Sequence, residues 1–229
     1  MQRLLNTAEA ARFLRVSQAS IRRWADSGQL PASRVGGRRE RRFREADLVA
    51  FMDRSSGNGG AVFIGGVQVP VPGHVACFYS TDEGRLRLSV PFLVEGISAG
   101  QPCILVTKGR VVSAYAKALG DVRGKLDVMA FKGSTADAAI VEWESRLSET
   151  VAGGATLIRV VGEMATEREM FGSEDEMLRY EEAFEVMCRR YPVVVMCQYD
   201  AREFNGVALV RALKAHPDLF DLRIGSFLN

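Results

Sequence analysis

The apolar positions at the start of the chain recur at helical spacing and predict two short helices joined by a turn. The positions expected to be buried are Ala10, Ala11, Phe13 and Leu14 in the first helix and Ile21 and Trp24 in the second. Thr7 is the predicted N-cap of the first helix, although Ala10 stands where a complete capping box would need Glu or Gln. Ser17 is the predicted N-cap of the second.

An extended segment follows these helices and predicts a β-hairpin. Gly36 and Gly37 tolerate the positive φ of a tight turn at its tip, and Phe43 is expected to pack beneath it. Residues 45–52 then predict a closing helix. Residues 1–54 are therefore predicted to form a winged helix-turn-helix domain.

From residue 74 onward, short runs rich in β-branched residues alternate with longer amphipathic stretches. The runs predict strands at His74–Tyr79, Cys103–Thr107, Leu126–Phe131, Thr156–Gly162, Val193–Tyr199 and Leu222–Phe227. The stretches predict helices near 84–99, 111–119, 135–152, 174–191 and 206–215. This alternation is typical of a doubly wound α/β domain with a mostly parallel sheet, assigned here to residues 73–229. Residues 55–72 read as a flexible linker and a short strand or hairpin.

Charge separates the two parts of the chain. Residues 1–54 hold twelve arginines, no lysine and six acidic residues, which gives +6. The remainder carries −4, so the formal net charge of +2 hides the asymmetry. A basic unit attached to a mildly acidic body predicts a polyanionic partner for the basic unit alone.

Duplex DNA is the predicted partner, because the polar positions of the second helix and of the hairpin suit a major groove and its phosphates. The candidate DNA-binding residues are Ser17, Gln18, Ser20, Arg22 and Arg23 on the helix and Arg34, Arg38, Arg39, Arg41 and Arg42 on the hairpin. The alternative is a basic solvated face on a protein-binding unit.

The string TAEAARFLRVSQASIRRWADSGQLPASRVGGRRERRFREADLVAF resembles the winged DNA-binding domain of the MerR and excisionase-like group over residues 4–52. Arg39 and Glu40 form an insertion relative to that pattern. The resemblance implies that the second helix reads DNA and that the hairpin grips it. The chain lacks the long heptad helix through which typical MerR regulators dimerise, so a homodimer is expected to form through the second domain, with 174–191 as a candidate face.

Polar residues mark several predicted strands of the second domain. The candidate ligand-binding residues are His74, Cys77, Tyr79, Glu163, Cys197, Tyr199 and Asp200. In open α/β sheets ligands bind beyond the carboxyl ends of the strands, where Tyr79, Glu163, Tyr199 and Asp200 are expected to gather. His74 starts its strand and is expected at the opposite end.

The segments HVACFY, FLVEGISAGQPCILVT, RVVGEMA and VMCQYDARE resemble the MEDS domain, a sensory module of methanogen and methylotroph regulators. The resemblance covers residues 73–228 and implies a KaiC/RecA-like core that has lost its ATP site and senses small hydrocarbon derivatives. Ala165 and Thr166 stand where family members often have tryptophan.

Catalytic signatures are missing from the sequence. The loop Ser80–Arg85 has one glycine, two acids and no lysine, so a P-loop is not expected, and neither G-x-G-x-x-G nor G-x-S-x-G occurs. The cysteines are read as small core residues. A metal site at His74 and Cys77, with or without Cys197, is an alternative that has no known zinc spacing. We therefore expect no enzyme and no assigned metal, and the sequence leaves any cofactor unknown.

Together these features predict a cytoplasmic DNA-binding transcription regulator, acting as a homodimer, whose second domain senses a small-molecule ligand. No apolar run is long enough for a membrane span, and four cysteines without framework spacing favour a reducing compartment. The alternative is an architectural, excisionase-like DNA-binding protein whose second domain only dimerises. An enzyme tied to DNA is the third hypothesis.

Overall fold

A computed structural model describes residues 4–14, 18–26, 30–35, 40–56, 61–222 and 224–229 of the chain. The chain divides into two compact units, residues 1–58 and 59–229. Each unit has a hydrophobic core of its own.

The first unit is a small three-helix unit with a three-stranded sheet. Its elements are β1 (Leu4–Leu5), α1 (Thr7–Leu14), α2 (Gln18–Asp26), β2 (Ser33–Val35), β3 (Glu40–Arg44) and α3 (Glu45–Ser56). β3 lies between β1 and β2 and pairs with both in antiparallel register. Phe43 of β3 is fully buried among the helices, as predicted.

The start of α1 corrects the capping prediction. Asn6, not Thr7, is the N-cap: its Oδ1 accepts from the Glu9 backbone N–H at 2.9 Å. Glu9 Oε2 in turn accepts from the Asn6 N–H at 2.8 Å. This reciprocal pair is a complete capping box, shifted by one residue from the position read off the sequence.

The second unit opens with a hairpin of β4 (Val62–Ile64) and β5 (Val67–Val69). Gly65 and Gly66 at its turn have φ of 56° and 78°, which glycine adopts freely. All four valine and isoleucine ends of the two strands (Val62, Ile64, Val67, Val69) lie in the core of the second unit. The hairpin is thus part of the second unit.

Five parallel strands form the central sheet: β6 (Gly73–Tyr79), β7 (Cys103–Val106), β8 (Leu126–Met129), β9 (Ile158–Glu163) and β10 (Val193–Asp200). Their spatial order is β6-β10-β9-β7-β8. β6, β9 and β10 are buried along their whole length, as expected for strands covered on both faces.

Helices cover both faces of this sheet: α4 (Asp82–Ser98), α5 (Arg110–Leu119), α6 (Ala136–Ala152), α7 (Met164–Arg168), α8 (Glu174–Cys188) and α9 (Gly206–Ala215). α4 packs with α5, whereas α8 packs with α6, α7 and α9. This two-sided arrangement confirms the predicted α/β architecture with a parallel sheet.

Two expectations for the second unit are wrong in detail, and one element was not expected. The strand predicted at Leu222–Phe227 is replaced by the 3-10 helix Ile224–Phe227, and only Leu228 bridges to Phe78 of β6. The short helix α7 was not predicted. The apolar side of α8 is buried inside the same chain, leaving Val186 as its exposed large apolar residue, so α8 does not offer an apolar dimer face.

None of the helices in the described part of the chain combines the length and the apolar character that a membrane span needs.

Candidate functional site

The first unit carries a polar groove of about 500 Å³ between its helices and its hairpin. The groove is lined by Asn6, Thr7, Ala8, Gln18, Arg22, Arg34, Glu40, Arg41 and Arg42. It brings together five of the predicted DNA-binding residues from two separate elements. Arg22 Nη2 donates to Gln18 Oε1 at 3.3 Å across one turn of α2.

The hairpin register places like charges opposite each other. Arg34 of β2 lies directly across from Arg41 of β3. Arg42 is partly neutralised by Glu40, whose Oε2 accepts at 2.7 Å. The groove lining holds four arginines (Arg22, Arg34, Arg41 and Arg42) and one acid, Glu40, so its net charge is positive and suits a polyanion.

Other predicted DNA-binding positions lie outside what the structure describes. Ser17, Arg38 and Arg39 fall in undescribed segments, and the predicted Gly36–Gly37 turn does as well. The backbone of Ser20 and Arg23 lies in α2, but their side chains are not described. Their roles remain predictions.

The second unit carries a pocket of about 230 Å³ beyond the carboxyl ends of β6, β7 and β9. We call it the strand-end pocket; it is lined by Tyr79, Arg85, Lys108, Gly109, Arg110, Val111, Glu163, Ala165, Thr166, Glu169 and Glu203. Of the seven predicted ligand-binding residues, Tyr79 and Glu163 line it. Its position is the one expected for ligands in parallel α/β sheets.

Glu163 is the centre of a buried hydrogen-bond network at the floor of this pocket. Tyr79 OH donates to its Oε2 at 3.1 Å, while Tyr115 OH and Gln198 Nε2 donate to its Oε1 at 2.8 and 2.7 Å. Burial raises the pKa of Glu163 above its ordinary value, and these donors only partly offset that effect. Burial also raises the pKa of Tyr79 and Tyr115, so both phenols remain hydrogen-bond donors.

Arg85 links Glu163 to Asp200. Its Nε donates to Tyr79 OH at 3.0 Å and lies 3.6 Å from Glu163 Oε2, while its Nη2 lies 3.8 Å from Asp200 Oδ2. Asp200 also accepts from Arg202, and although burial opposes ionisation, these hydrogen bonds lower the pKa of Asp200. Asp200 thus contacts the network through Arg85 and does not line the pocket.

The central sheet separates His74, Cys197 and Tyr199 from the Glu163 network. Side chains alternate between the two faces of a strand, so Gln198 and Asp200 face α4 and α5. Cys197 and Tyr199 face the opposite side, towards α8. The prediction that Tyr199 joins Tyr79 and Glu163 is wrong for this reason. Cys77 is a buried core residue whose pKa is raised by burial.

His74, Cys197 and Tyr199 meet instead on the α8 face, in what we call the histidine cluster, with Glu181 of α8 and His216 at the end of α9. Cys197 Sγ lies 3.2 Å from His74 Nε2 and 3.7 Å from Glu181 Oε1. Tyr199 OH donates to Glu181 Oε2 at 2.8 Å. Four of these side chains present metal-ligand atoms within 4.8 Å of one another: His74, Glu181, Cys197 and His216.

Burial dominates the electrostatics of the histidine cluster. It lowers the pKa of His74 and raises the pKa of the Cys197 thiol, favouring the neutral form of each. Burial also opposes ionisation of Glu181, but His216, His74 and Tyr199 outweigh it and lower its pKa. Glu167 of α7 is buried as well, and its pKa is raised well above the ordinary value.

Several residues of both sites were not found from the sequence: Arg85, Tyr115, Gln198, Glu181 and His216. Gln198 had a usable signal, since a polar side chain inside a fully buried strand needs a partner. Glu181 had one too, as an acid three residues from Leu178 and Phe184 on the apolar side of a helix. His216 reads from the sequence only as a helix end, which it also is.

Two family profiles match the chain. A helix-turn-helix domain profile matches residues 4–56. The profile described as MEthanogen/methylotroph, DcmR Sensory domain (MEDS) matches residues 73–217. The two matches correspond to the two compact units.

A curated relative spans nearly the whole chain. The transcriptional repressor DcmR of Methylorubrum extorquens (strain DM4) is 34% identical over 244 residues, covering 96% of this chain and 92% of that protein. A KaiC-like protein of known structure from Pyrococcus horikoshii OT3 is 14% identical, with a TM-score of 0.47, and the match covers 63% of this chain and 69% of its own. The α/β architecture stated above rests on the sheet topology itself. From the two profile matches and the DcmR relative, the chain belongs to the MEDS family, with a helix-turn-helix domain preceding the MEDS domain.

Proposed function

We propose that this protein is a cytoplasmic transcription regulator whose helix-turn-helix unit binds duplex DNA and whose MEDS domain binds a small molecule that alters this binding. The groove of the first unit carries the proposal, since it gathers Gln18, Arg22, Arg34, Arg41 and Arg42 from a helix and a hairpin. Helix side chains of these types read base edges, and hairpin arginines contact phosphates. The repressor named above supports the same role.

In this proposal the first unit is a winged domain of the MerR and excisionase-like type. The antiparallel strands β2 and β3 supply the wing, and α2 supplies the recognition helix. One such module offers a small interface, so specific recognition calls for two copies on neighbouring half-sites. We accordingly propose a homodimer that forms through the MEDS domain.

The strand-end pocket is the proposed ligand site, and its lining indicates the ligand's chemistry. Arg85, Lys108 and Arg110 supply positive charge, while Val111 and Ala165 supply a small apolar wall. Arg85 and Lys108 are paired with acidic residues, and a ligand that carries a polar group could hydrogen-bond to these charged side chains, which a bare hydrocarbon could not. The ligand proposed here is a small hydrocarbon derivative that carries a polar group. The proposed role is sensory and not catalytic.

DNA recognition can be tested with duplexes enriched from a random library by the full-length protein. Arg22→Ala and Arg34→Ala are expected to weaken binding of the enriched duplex by about 1–3 kcal/mol, roughly 5- to 150-fold. Arg12→Ala is the matched control, because Arg12 is exposed on α1 outside the groove. Fluorescence anisotropy at fixed salt measures all three. Equal affinities for the three variants would refute this assignment of the groove.

Ligand sensing can be tested by adding short-chain alcohols, carboxylic acids and halogenated hydrocarbons to the same anisotropy assay. One class is expected to shift both the DNA affinity and the melting temperature of the protein. Lys108→Ala should weaken this response, and Lys117→Ala, an exposed lysine on α5 away from the pocket, should not. DNA binding that responds to none of these compounds would favour a constitutive architectural protein.

A further inference from the structure

The histidine cluster has the composition and the convergence of a metal site. Its four ligand-capable side chains come from four separate places: His74 from β6, Glu181 from α8, Cys197 from β10 and His216 from the end of α9. His74, Glu181 and His216 are fully buried, and Cys197 is 3% exposed. Their ligand atoms all lie within 4.8 Å of one another.

Both imidazoles are oriented by hydrogen bonds on the nitrogen that faces away from the cluster. His216 Nδ1 lies 2.7 Å from the Ala212 carbonyl oxygen, which can only accept, so Nδ1 carries the proton. His74 Nδ1 lies 3.0 Å from Glu185 Oε2, which likewise accepts. Each histidine therefore turns Nε2 inward. Metal-bound histidines are held in this way by an outer carbonyl or carboxylate.

The inward-facing Nε2 of His216 is the strongest indication that the cluster binds a ligand. It lies 3.2 Å from Glu181 Oε2 but makes no hydrogen bond with any residue in the described part of the chain. A buried ring nitrogen with no aligned hydrogen bond is left uncompensated, and a cation bound by both this nitrogen and the neighbouring carboxylate would compensate it.

The remaining contacts suit the same interpretation. His74 Nε2 lies 3.2 Å from Cys197 Sγ, so loss of the thiol proton would leave two ligand atoms side by side that one metal ion could bind. Glu181 Oε2 accepts from Tyr199 OH at 2.8 Å, the type of outer hydrogen bond that orients a ligating carboxylate. One divalent cation with one thiolate and one carboxylate gives a buried centre of zero net charge.

We propose that His74, Glu181, Cys197 and His216 bind one Zn²⁺ ion in the MEDS domain. Two imidazoles, a thiolate and a carboxylate form a ligand set that zinc accepts in tetrahedral geometry. Zinc–ligand bonds of about 2.0–2.3 Å imply ligand–ligand distances of roughly 3.3–3.8 Å, so the cluster needs only small side-chain movements to close around the ion. Four protein ligands leave no open position, which makes the ion structural.

The proposed ion would link the edge of the central sheet to the helices on one face. It joins neighbouring strands β6 and β10 to α8 and to the end of α9. The strand-end pocket lies beyond the carboxyl ends of β6, β7 and β9, and none of its lining residues belongs to the histidine cluster. The zinc site therefore stands independently of the proposed ligand pocket and of DNA binding.

A neighbouring arrangement competes for the same histidine and makes the test specific. His74, Glu185 and Cys188 also present ligand atoms within 4.8 Å of one another. Glu185 Oε1, however, accepts two hydrogen bonds from Arg189, at 2.6 and 3.0 Å, so its charge is already compensated. Cys188→Ser is therefore the matched control for Cys197→Ser.

The experiment measures zinc in the full-length protein purified without chelator, by inductively coupled plasma mass spectrometry, and its affinity by competition with a chromogenic chelator. We expect about one zinc per chain in the unmodified protein. Cys197→Ser and His216→Gln should weaken zinc binding by at least on the order of 100-fold, and Cys188→Ser should retain it. Circular dichroism establishes that each variant is folded.

Cobalt substitution tests the site in the unmodified protein, so its result does not depend on whether any variant folds. Co²⁺ bound to the unmodified protein should show the thiolate charge-transfer and ligand-field bands of a tetrahedral site. A folded, unmodified protein that takes up neither ion from excess metal would overturn the proposal. Zinc lost in Cys188→Ser and kept in Cys197→Ser would overturn it as well.

Discussion

Glu163 shows how a single buried carboxylate can organise the floor of a pocket. A carboxylate accepts hydrogen bonds but donates none, and Glu163 is supplied with donors from Tyr79, Tyr115 and Gln198. Removing it from water is costly, and the three donors together with the nearby Arg85 guanidinium compensate that cost. The residue is therefore fixed by its neighbours, and it fixes them in turn.

Replacing Glu163 by Gln should destabilise the second unit by about 1–3 kcal/mol, because the new amide N–H₂ faces donors. Glu169→Gln, on the exposed rim of the pocket, is the control and should change stability little. The raised pKa of Glu163 means that the folded state holds this proton more tightly than the unfolded chain. The stabilisation that protonated Glu163 gives the folded state is present at low pH and is lost as the pH rises above about 4.5. The difference in unfolding free energy between the unmodified protein and Glu163→Gln should therefore shrink from pH 4.5 to 7.

Chemical denaturation at several pH values measures both effects. Equal unfolding free energies for Glu163→Gln and the unmodified protein at every pH would show that the network does not stabilise the fold.

Strand alternation explains which single residues the sequence could place. Tyr79 and Glu163 were predicted to meet, and they do, because both face the same side at the carboxyl ends of their strands. Cys197 and Tyr199 were assigned to the same site as Asp200, yet adjacent positions on β10 face opposite sides. A stricter use of this period would have separated them. The contribution of Glu181 and His216 depends on tertiary packing that no local pattern encodes.

The close approach of α4 to the sheet is the clearest packing constraint among the elements. Arg159 of β9 is buried beneath this helix, where its Nη1 donates to the Phe92 carbonyl and to Glu95 Oε2, both at 2.8 Å. Gly96 leaves the room for it. A methyl group on Gly96 would lie 2.5 Å from Arg159 Cδ and 2.7 Å from Cys103 Sγ.

Gly96→Ala should therefore destabilise the second unit by about 1–2 kcal/mol, although alanine forms helix better than glycine. Gly206→Ala in α9 is the matched control, since an added methyl group there meets nothing within 4 Å. That control should be neutral or stabilising by up to about 1 kcal/mol. Urea unfolding compares the two variants. A stabilised Gly96→Ala would mean that α4 does not press on β9 as described.

The sequence predicted whole helices and strands more accurately than the residues at which they begin and end. Five strands and five long helices of the second unit follow from period and length, because a buried strand and an amphipathic helix leave different patterns. The run Leu222–Phe227 has the composition of a strand, yet its residues Ile224–Phe227 form a 3-10 helix, and Leu228 bridges to Phe78 of the edge strand β6. α7, at five residues, is too short to leave a period.

At the scale of the whole molecule, net charge and hydrophobic cores divide the chain into the same two units. Among its described residues, the basic first unit has a small core of seven buried apolar residues: Leu5, Ala10, Ala11, Ile21, Leu30, Phe43 and Leu48. The second unit has a much larger core that shares none of them. Domains with separate cores unfold separately unless their interface is large. The small core should make the first unit the less stable of the two.

Thermal unfolding of the full-length protein should therefore show two transitions, and a fragment of residues 59–229 should keep only the upper one. Enriched duplex DNA at 100 times its Kd should stabilise the first unit by about 2.7 kcal/mol, which raises the lower transition by on the order of 10 °C. The upper transition should not move, because DNA binds the other unit. Added salt should reduce the shift, since phosphate contacts release counterions. Phe43→Ala removes a buried ring from the core of the first unit and should lower the midpoint temperature of the lower transition only. A single transition that DNA raises as a whole would instead require the two units to unfold as one.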